Sequence, residues 1–113
     1  MTFLKLTLPL LFCLTLTAAE PPIVPLYPGQ APGSESWDWP ETEPTSTDGI
    51  RRIANVTRPS ITVYLPDNDK ATGTGMVVCP GSGFRILAIR HEGEDVARFL
   101  NDLGVASQNL LSR

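Results

Sequence analysis

Ile61, Val63 and Leu65 alternate with Ser60, Thr62 and Tyr64, the period-two pattern of a half-buried β-strand. Pro59 before this stretch and Pro66 after it place the strand at a sheet edge. A continuous apolar run follows in Met76-Val77-Val78-Cys79, and Pro80-Gly81-Ser82-Gly83 breaks it off. An apolar run between turn signals reads as a strand covered on both faces, so Thr74 to Cys79 is expected to be one. The polar turn Asp67-Asn68-Asp69-Lys70 between the two runs predicts antiparallel neighbours. Ile50 to Val56 reads as an earlier strand. Beyond the glycine turn, Val96, Phe99, Leu100 and Leu103 recur at i, i+3, i+4 and i+7, one face of a helix. Glu92, Glu94 and Asp95 fall in its first turn, where negative charge suits the helix dipole. Arg98 is spaced to pair with Glu94, and Gly104 stands where a C-terminal cap belongs. Val105-Ala106 opens a further strand that the polar Ser107-Gln108-Asn109 does not continue.

Two segments precede this pattern. In residues 1–19, Lys5 supplies a positive start, Leu6 to Leu16 an apolar core, and Thr17-Ala18-Ala19 a small-residue cleavage site. That combination reads as a secretory signal peptide, since the apolar core is too short to span a bilayer comfortably. Residues 20–48 then carry prolines at 21, 22, 25, 28, 32, 40 and 44, with Glu35, Asp38, Glu41, Glu43 and Asp48 and no basic residue. Such a stretch cannot form a regular helix and is expected to be an extended arm that buries little apolar surface. Trp37 and Trp39 are its exceptions. Two rings in an acidic loop can stack on a saccharide, or they can pin the arm to the domain surface, and packing is the favoured of the two. Residues 49–113 hold the ordered domain.

Composition narrows the function classes. The chain has 113 residues, is 42% hydrophobic and 19% charged, and carries a net charge of −3. That balance argues against nucleic-acid binding, which draws on a basic patch. One histidine, and two cysteines far apart at 13 and 79, offer no metal-ligand spacing, and no cofactor is indicated. After removal of the leader, Cys79 is the one thiol, so no internal disulfide forms and packing alone holds the fold. Cys79 reads as a small buried hydrophobe rather than a nucleophile.

The chemistry concentrates at Pro80-Gly81-Ser82-Gly83-Phe84. A glycine-rich turn at the C-terminal end of a buried strand is where open α/β sheets place binding groups. Its glycines reach backbone angles closed to other residues and admit close approach to the main chain. Exposed N–H groups there can hold an anion or a developing oxyanion. The same residues also fit a plain tight turn between strand and helix.

Four ordered pieces carry a resemblance. They are Asn55-Val56-Thr57-Arg58-Pro59 leading into Thr62-Val63-Tyr64-Leu65-Pro66; Gly73-Thr74-Gly75; Val77-Val78-Cys79-Pro80-Gly81-Ser82-Gly83-Phe84; and His91-Glu92-Gly93-Glu94-Asp95-Val96-Ala97-Arg98-Phe99-Leu100 with Leu103-Gly104-Val105-Ala106. Together they resemble the N-terminal part of secreted bacterial α/β-hydrolases of the acetyl-xylan-esterase-like and dienelactone-hydrolase-like group. Sequences of that group are often labelled xylanase or esterase/lipase. The resemblance implies an α/β fold, present here as an incomplete N-terminal fragment of a hydrolase sheet with about three strands and one helix. It implies that Gly81, Ser82, Gly83 and Phe84 form the oxyanion loop after the third strand, the backbone N–H of Gly83 or Phe84 being the donor. Pro80 stands in the His position of the HGGG-type motif and Ser82 replaces a middle glycine.

The same family places its catalytic residues in the order Ser, then Asp or Glu, then His. His91 comes too early for that role, and no G-x-S-x-G occurs in the chain. The chain therefore reads as the front of a hydrolase that stops at its fourth strand, through a frameshift, an early stop or a fragmentary gene. No catalytic residue is assigned within it. The implied substrate of the full-length relative is an acylated plant polysaccharide of the xylan type, outside the cell or in the periplasm, with no nucleic acid as partner and no membrane after leader cleavage. The alternative is a non-catalytic exported module that binds a saccharide or partner through Trp37 and Trp39. A sheet this small, with neither disulfide nor metal, is expected to be marginally stable and poorly soluble.

Overall fold

Among the described residues four short strands form one sheet, and the last of them pairs with two of the others. A computed structural model describes residues 20–44, 46–81 and 83–112. The expected leader 1–19 and Ser82 lie outside the described residues. The elements are β1 (Ile23–Pro25), β2 (Ser60–Tyr64), β3 (Gly75–Val78), a π-helical turn (Arg90–Glu94), α1 (Asp95–Asp102) and β4 (Ala106–Leu111). They form a mixed sheet in the order β1-β2-β4-β3. β2 runs antiparallel to both β1 and β4, while β3 and β4 are parallel. A parallel pair needs a crossover, and the helical segment between β3 and β4 supplies it.

Several expectations change. The stretch Ile50 to Val56 is not a strand; Ile53 and Ala54 make only isolated bridges, to Leu87 and Thr42. β2 is not an edge strand, because Ile23–Pro25 from the proline-rich arm pairs on its outer side. β2 and β3 are not neighbours, because β4 lies between them. The connection from Leu65 to Thr74 is long enough for β4 to lie between the two strands. β3 is itself an edge, so Met76 and Val77 are exposed and only Val78 is buried. Ser107-Gln108-Asn109 continues the fourth strand rather than ending it, and does so at the centre of the sheet. Backbone ladders on both sides satisfy its N–H and C=O groups whatever its side chains. Ser107 is 0% exposed and Asn109 5%.

The arm is bound, not loose. Leu26 N–H donates to the Pro59 carbonyl at 2.9 Å, Ala31 N–H to Thr57 at 3.3 Å, and Thr42 exchanges backbone bonds with Ala54 at 3.0 and 2.8 Å. Ser34 is buried in a turn, its hydroxyl donating to the Ala31 carbonyl at 2.6 Å. Prolines exclude helix but not these extended pairings.

Register divides the sheet into two unlike faces. Ser60, Thr62 and Tyr64 of β2 lie opposite Leu111, Asn109 and Ser107 of β4. This polar-rich face receives the helical segment: the Asn109 side chain lies against Gly93, and Ile89 packs with Ile53, Val56, Leu87 and Leu111. The opposite face carries Val24, Ile61, Val63, Leu110 and Val77. Val77 is 58% exposed, and Val24 and Leu65 are exposed as well.

The helix turns only part of its expected stripe inward, with Leu100 buried and Val96 half-buried. Gly93, Ala97, Leu100 and Gly104 are buried, whereas Phe99 and Leu103 are exposed. Small side chains let the helix approach the sheet closely, and Gly93 would meet Pro80 and Asn109 side-chain atoms at 3.1 and 3.2 Å if it carried a Cβ. Arg98 pairs with Asp95 at 3.1 Å rather than with Glu94. Gly104 caps the helix as expected, with φ of 77° and its N–H on the Asn101 carbonyl at 2.9 Å. Among the described residues no helix is long and apolar enough to cross a membrane.

Two outcomes follow from this packing. Gly104→Ala forces a Cβ onto the Lys70 carbonyl oxygen at a left-handed backbone position and is expected to cost on the order of 2–4 kcal/mol, read as a lowered urea midpoint. The paired change Val77→Thr and Leu65→Thr removes exposed apolar area without touching the core; light scattering should show less aggregation than for the parent chain. Equal aggregation would mean that this face is not what limits solubility.

Candidate functional site

The segment between β3 and the π-helical turn is closed at both ends. Ile53 and Leu87 exchange backbone hydrogen bonds at 3.0 and 2.7 Å, and Ala88 N–H donates to the Gly81 carbonyl at 3.1 Å. Between these ties the chain turns through Gly83 at φ 62° and Phe84 at φ 63°. Glycine adopts that conformation freely, but a bulky aromatic residue rarely does. The Phe84 side chain is fully exposed at the tip. A cavity of about 520 Å³ lies beneath, bounded by Ile53, Val56, Pro80, Gly81, Phe84 and Leu87.

One main-chain donor of this loop already holds an anionic oxygen. Gly81 N–H donates to Glu92 Oε2 at 2.8 Å. Glu92 comes from the π-helical turn, which brings its carboxylate back over the loop. A hydrogen bond from an amide to a charged carboxylate is stronger than a neutral one, so this contact fixes the loop against the helix start. His91 Nε2 stands 3.9 Å from Glu92 Oε1, too far for a hydrogen bond.

Gly81, Gly83 and Phe84 thus sit together in the loop where the glycine pattern put them, and Ser82 lies outside the described residues. Cys79, expected to be buried, is exposed, because β3 is an edge strand with nothing beyond it among the described residues. Trp37 and Trp39 stack on each other with ring centroids 5.2 Å apart and planes 25° apart; Trp37 is half-buried and Trp39 is 37% exposed. They do not line the cavity under the loop. Among the described residues no group of three or more His, Cys, Asp or Glu is placed to hold a metal ion.

Two residues of the neighbourhood carry no signal in the sequence. Glu92 was legible only as helix-start charge. Arg51 ties the arm to the helical segment, its Nε 2.5 Å from Glu43 and a terminal nitrogen 2.9 Å from Glu94. Those partners are 8 and 43 residues away, beyond any local spacing rule. Arg51 holds the Glu43 carboxyl below its ordinary value, and Glu43 in turn holds the guanidinium above its own. Burial, reinforced by the Glu94 carboxylate, pushes the Tyr64 phenol up.

No protein-family model, curated protein or solved structure matches this chain.

Removing the Glu92 carboxylate tests the loop contact. In Glu92→Ala the Gly81 amide loses its acceptor, and its hydrogen exchange should accelerate about tenfold, the equivalent of roughly 1.4 kcal/mol. Unchanged exchange would mean that another group protects that amide.

Proposed function

We propose that this chain is the N-terminal portion of a secreted serine ester hydrolase that acts on acylated plant polysaccharide, and that Gly81, Ser82, Gly83 and Phe84 form its oxyanion loop. The observation that carries the reading is the Gly81 N–H on the Glu92 carboxylate, inside a loop with left-handed Gly83 and Phe84. That an amide of this loop donates to a carboxylate oxygen supports an anion-holding role for the loop's main chain. The loop's place also supports the reading. It follows the third strand and leads into the first helix, where α/β-hydrolases draw one of their two oxyanion donors.

The division of labour follows from what the chain contains. Ester hydrolysis needs a nucleophile and a base within hydrogen-bond reach, and a donor pair aimed at the developing charge. This chain supplies part of the last alone. Gly81 N–H is occupied by Glu92, and the reading assigns the oxyanion donor to the backbone N–H of Gly83 or Phe84. The serine nucleophile, its acid and its histidine belong to sequence that these residues do not include.

The purified chain is therefore expected to release no acetate from 4-nitrophenyl acetate above the rate without protein, and a burst of product would overturn this. Reading every frame downstream of Ala106 at the locus supplies the positive arm: a G-x-S-x-G followed later by a histidine is the expected result. Fusing that segment to residues 20–106 should then restore hydrolysis.

A further inference from the structure

Asn109 occupies the middle of the central strand, opposite Thr62 on one side and Val78 on the other. Its side chain is 5% exposed, and neither its Nδ2 nor its Oδ1 has a hydrogen-bond partner. A buried amide left unpaired costs about 1–3 kcal/mol, and buried polar groups are almost always paired. Asn109 lines a second cavity, of about 690 Å³, between the helix-side face of the sheet and the arm. That volume is in the range of small-molecule sites.

The walls of this cavity have a consistent chemistry. Ser60, Thr62 and Tyr64 bring three hydroxyls from alternate positions of β2, on the same face as Asn109. Each hydroxyl both donates and accepts, and the amide offers two donors and one acceptor. Ile89 and Leu111 add an apolar wall. Of the charged lining, Arg51 is bound to Glu94, and also to Glu43 outside the cavity, while Glu20, Glu41 and Arg58 stand beside that pair. Three carboxylates, of Glu20, Glu41 and Glu94, face two guanidiniums, of Arg51 and Arg58, so the lining is net negative and disfavours an anionic ligand. The terminal amide torsion of Asn is soft, and binding requires it to turn Oδ1 or Nδ2 from beside Gly93 toward the cavity. The π-helical turn above is compatible with this, since Gly93 leaves the amide room, and such turns are frequent at functional sites.

We propose that this cavity binds a neutral, hydroxyl-rich ring, of which a pyranose sugar is the chemical class. The hydroxyls of Ser60, Thr62 and Tyr64 and the Asn109 amide take its hydroxyl groups, and Ile89 and Leu111 take its C–H face. The assignment does not rest on the ester-hydrolase reading. No residue of the loop Pro80 to Phe84 lines this cavity, and its test involves no hydrolysis.

The experiment is a heteronuclear NMR titration of the full chain with methyl β-xylopyranoside, with glucuronate and cyclohexanol as charged and apolar comparisons. The expected result is a saturable shift of the Asn109 side-chain amide pair with the pyranoside, at least tenfold weaker with either comparison. Asn109→Leu removes the unpaired amide, so it should raise the Tm of the ligand-free chain and weaken pyranoside binding at least tenfold. Thr62→Val, which keeps the strand's β-branched shape, should weaken it several-fold. Equal binding by both variants, or no shift in the parent chain at millimolar pyranoside, overturns the proposal. A parent spectrum without dispersion overturns it too, because the cavity would then not exist in solution.

Discussion

The double pairing of β4 is the constraint on which the fold depends. Every other strand reaches the sheet through it or through its neighbour β2. Five residue pairs join it to β2 and four join it to β3. Its register alone decides which side chains meet the helix. A shift of one residue would turn Ser107 and Asn109 to the other face and bring Gln108 and Leu110 under the helix. The strand is thus held by its backbone ladders while its side chains oppose it, since Ser107 Oγ and both amide atoms of Asn109 are buried without partners. Local propensity and global pairing disagree here, and natural sequences tolerate such conflict mainly where function needs it.

The same register explains why, among the described residues, the sheet is apolar on the side without a helix and polar on the side with one. A sheet face usually turns its hydrophobic side to the layer that covers it. Here the hydroxyl-bearing face of β2 meets the helical segment, and Ile61, Val63, Leu110 and Val77 face away. The core that remains is a small cluster of Ile53, Val56 and Ile89 with Leu87 and Leu111 at its border. Arg51 adds a tether between arm and helix, but ion pairs this exposed are each worth little.

Much of this was legible in the residues, and the failures have physical causes. β2 was read from its alternation, and the capped end of α1 from Gly104. The helical period shows the helix and the inward place of Leu100, but puts Phe99 and Leu103 inward when both are exposed. Hydropathy ranks Phe99 and Leu103 above Gly93 and Ala97, but close approach to the sheet selects for small size. β1 was hidden among prolines, because Ile23-Val24 is too short to show a period. The polar run of β4 was read as an end because side-chain pattern says nothing about backbone ladders on both sides. At the candidate site, the glycine turn follows from composition, but the left-handed Phe84 does not, since a bulky aromatic residue rarely adopts that conformation. The Glu92 contact does not, since it depends on a π-helical turn that only the folded chain defines.

The two margins of the sheet are chemically unequal. β1 is three residues long and is bounded by Pro21, Pro22 and Pro25, which carry no N–H to offer a newcomer. β3 offers Gly75, Met76, Val77 and Val78 with no proline among them. An incoming strand can therefore be templated on one side only. Two copies that met through their β3 margins would use up the one receptive side of each. Growth would stop at a pair, and the proline-bounded arm would act as a terminator against fibril formation.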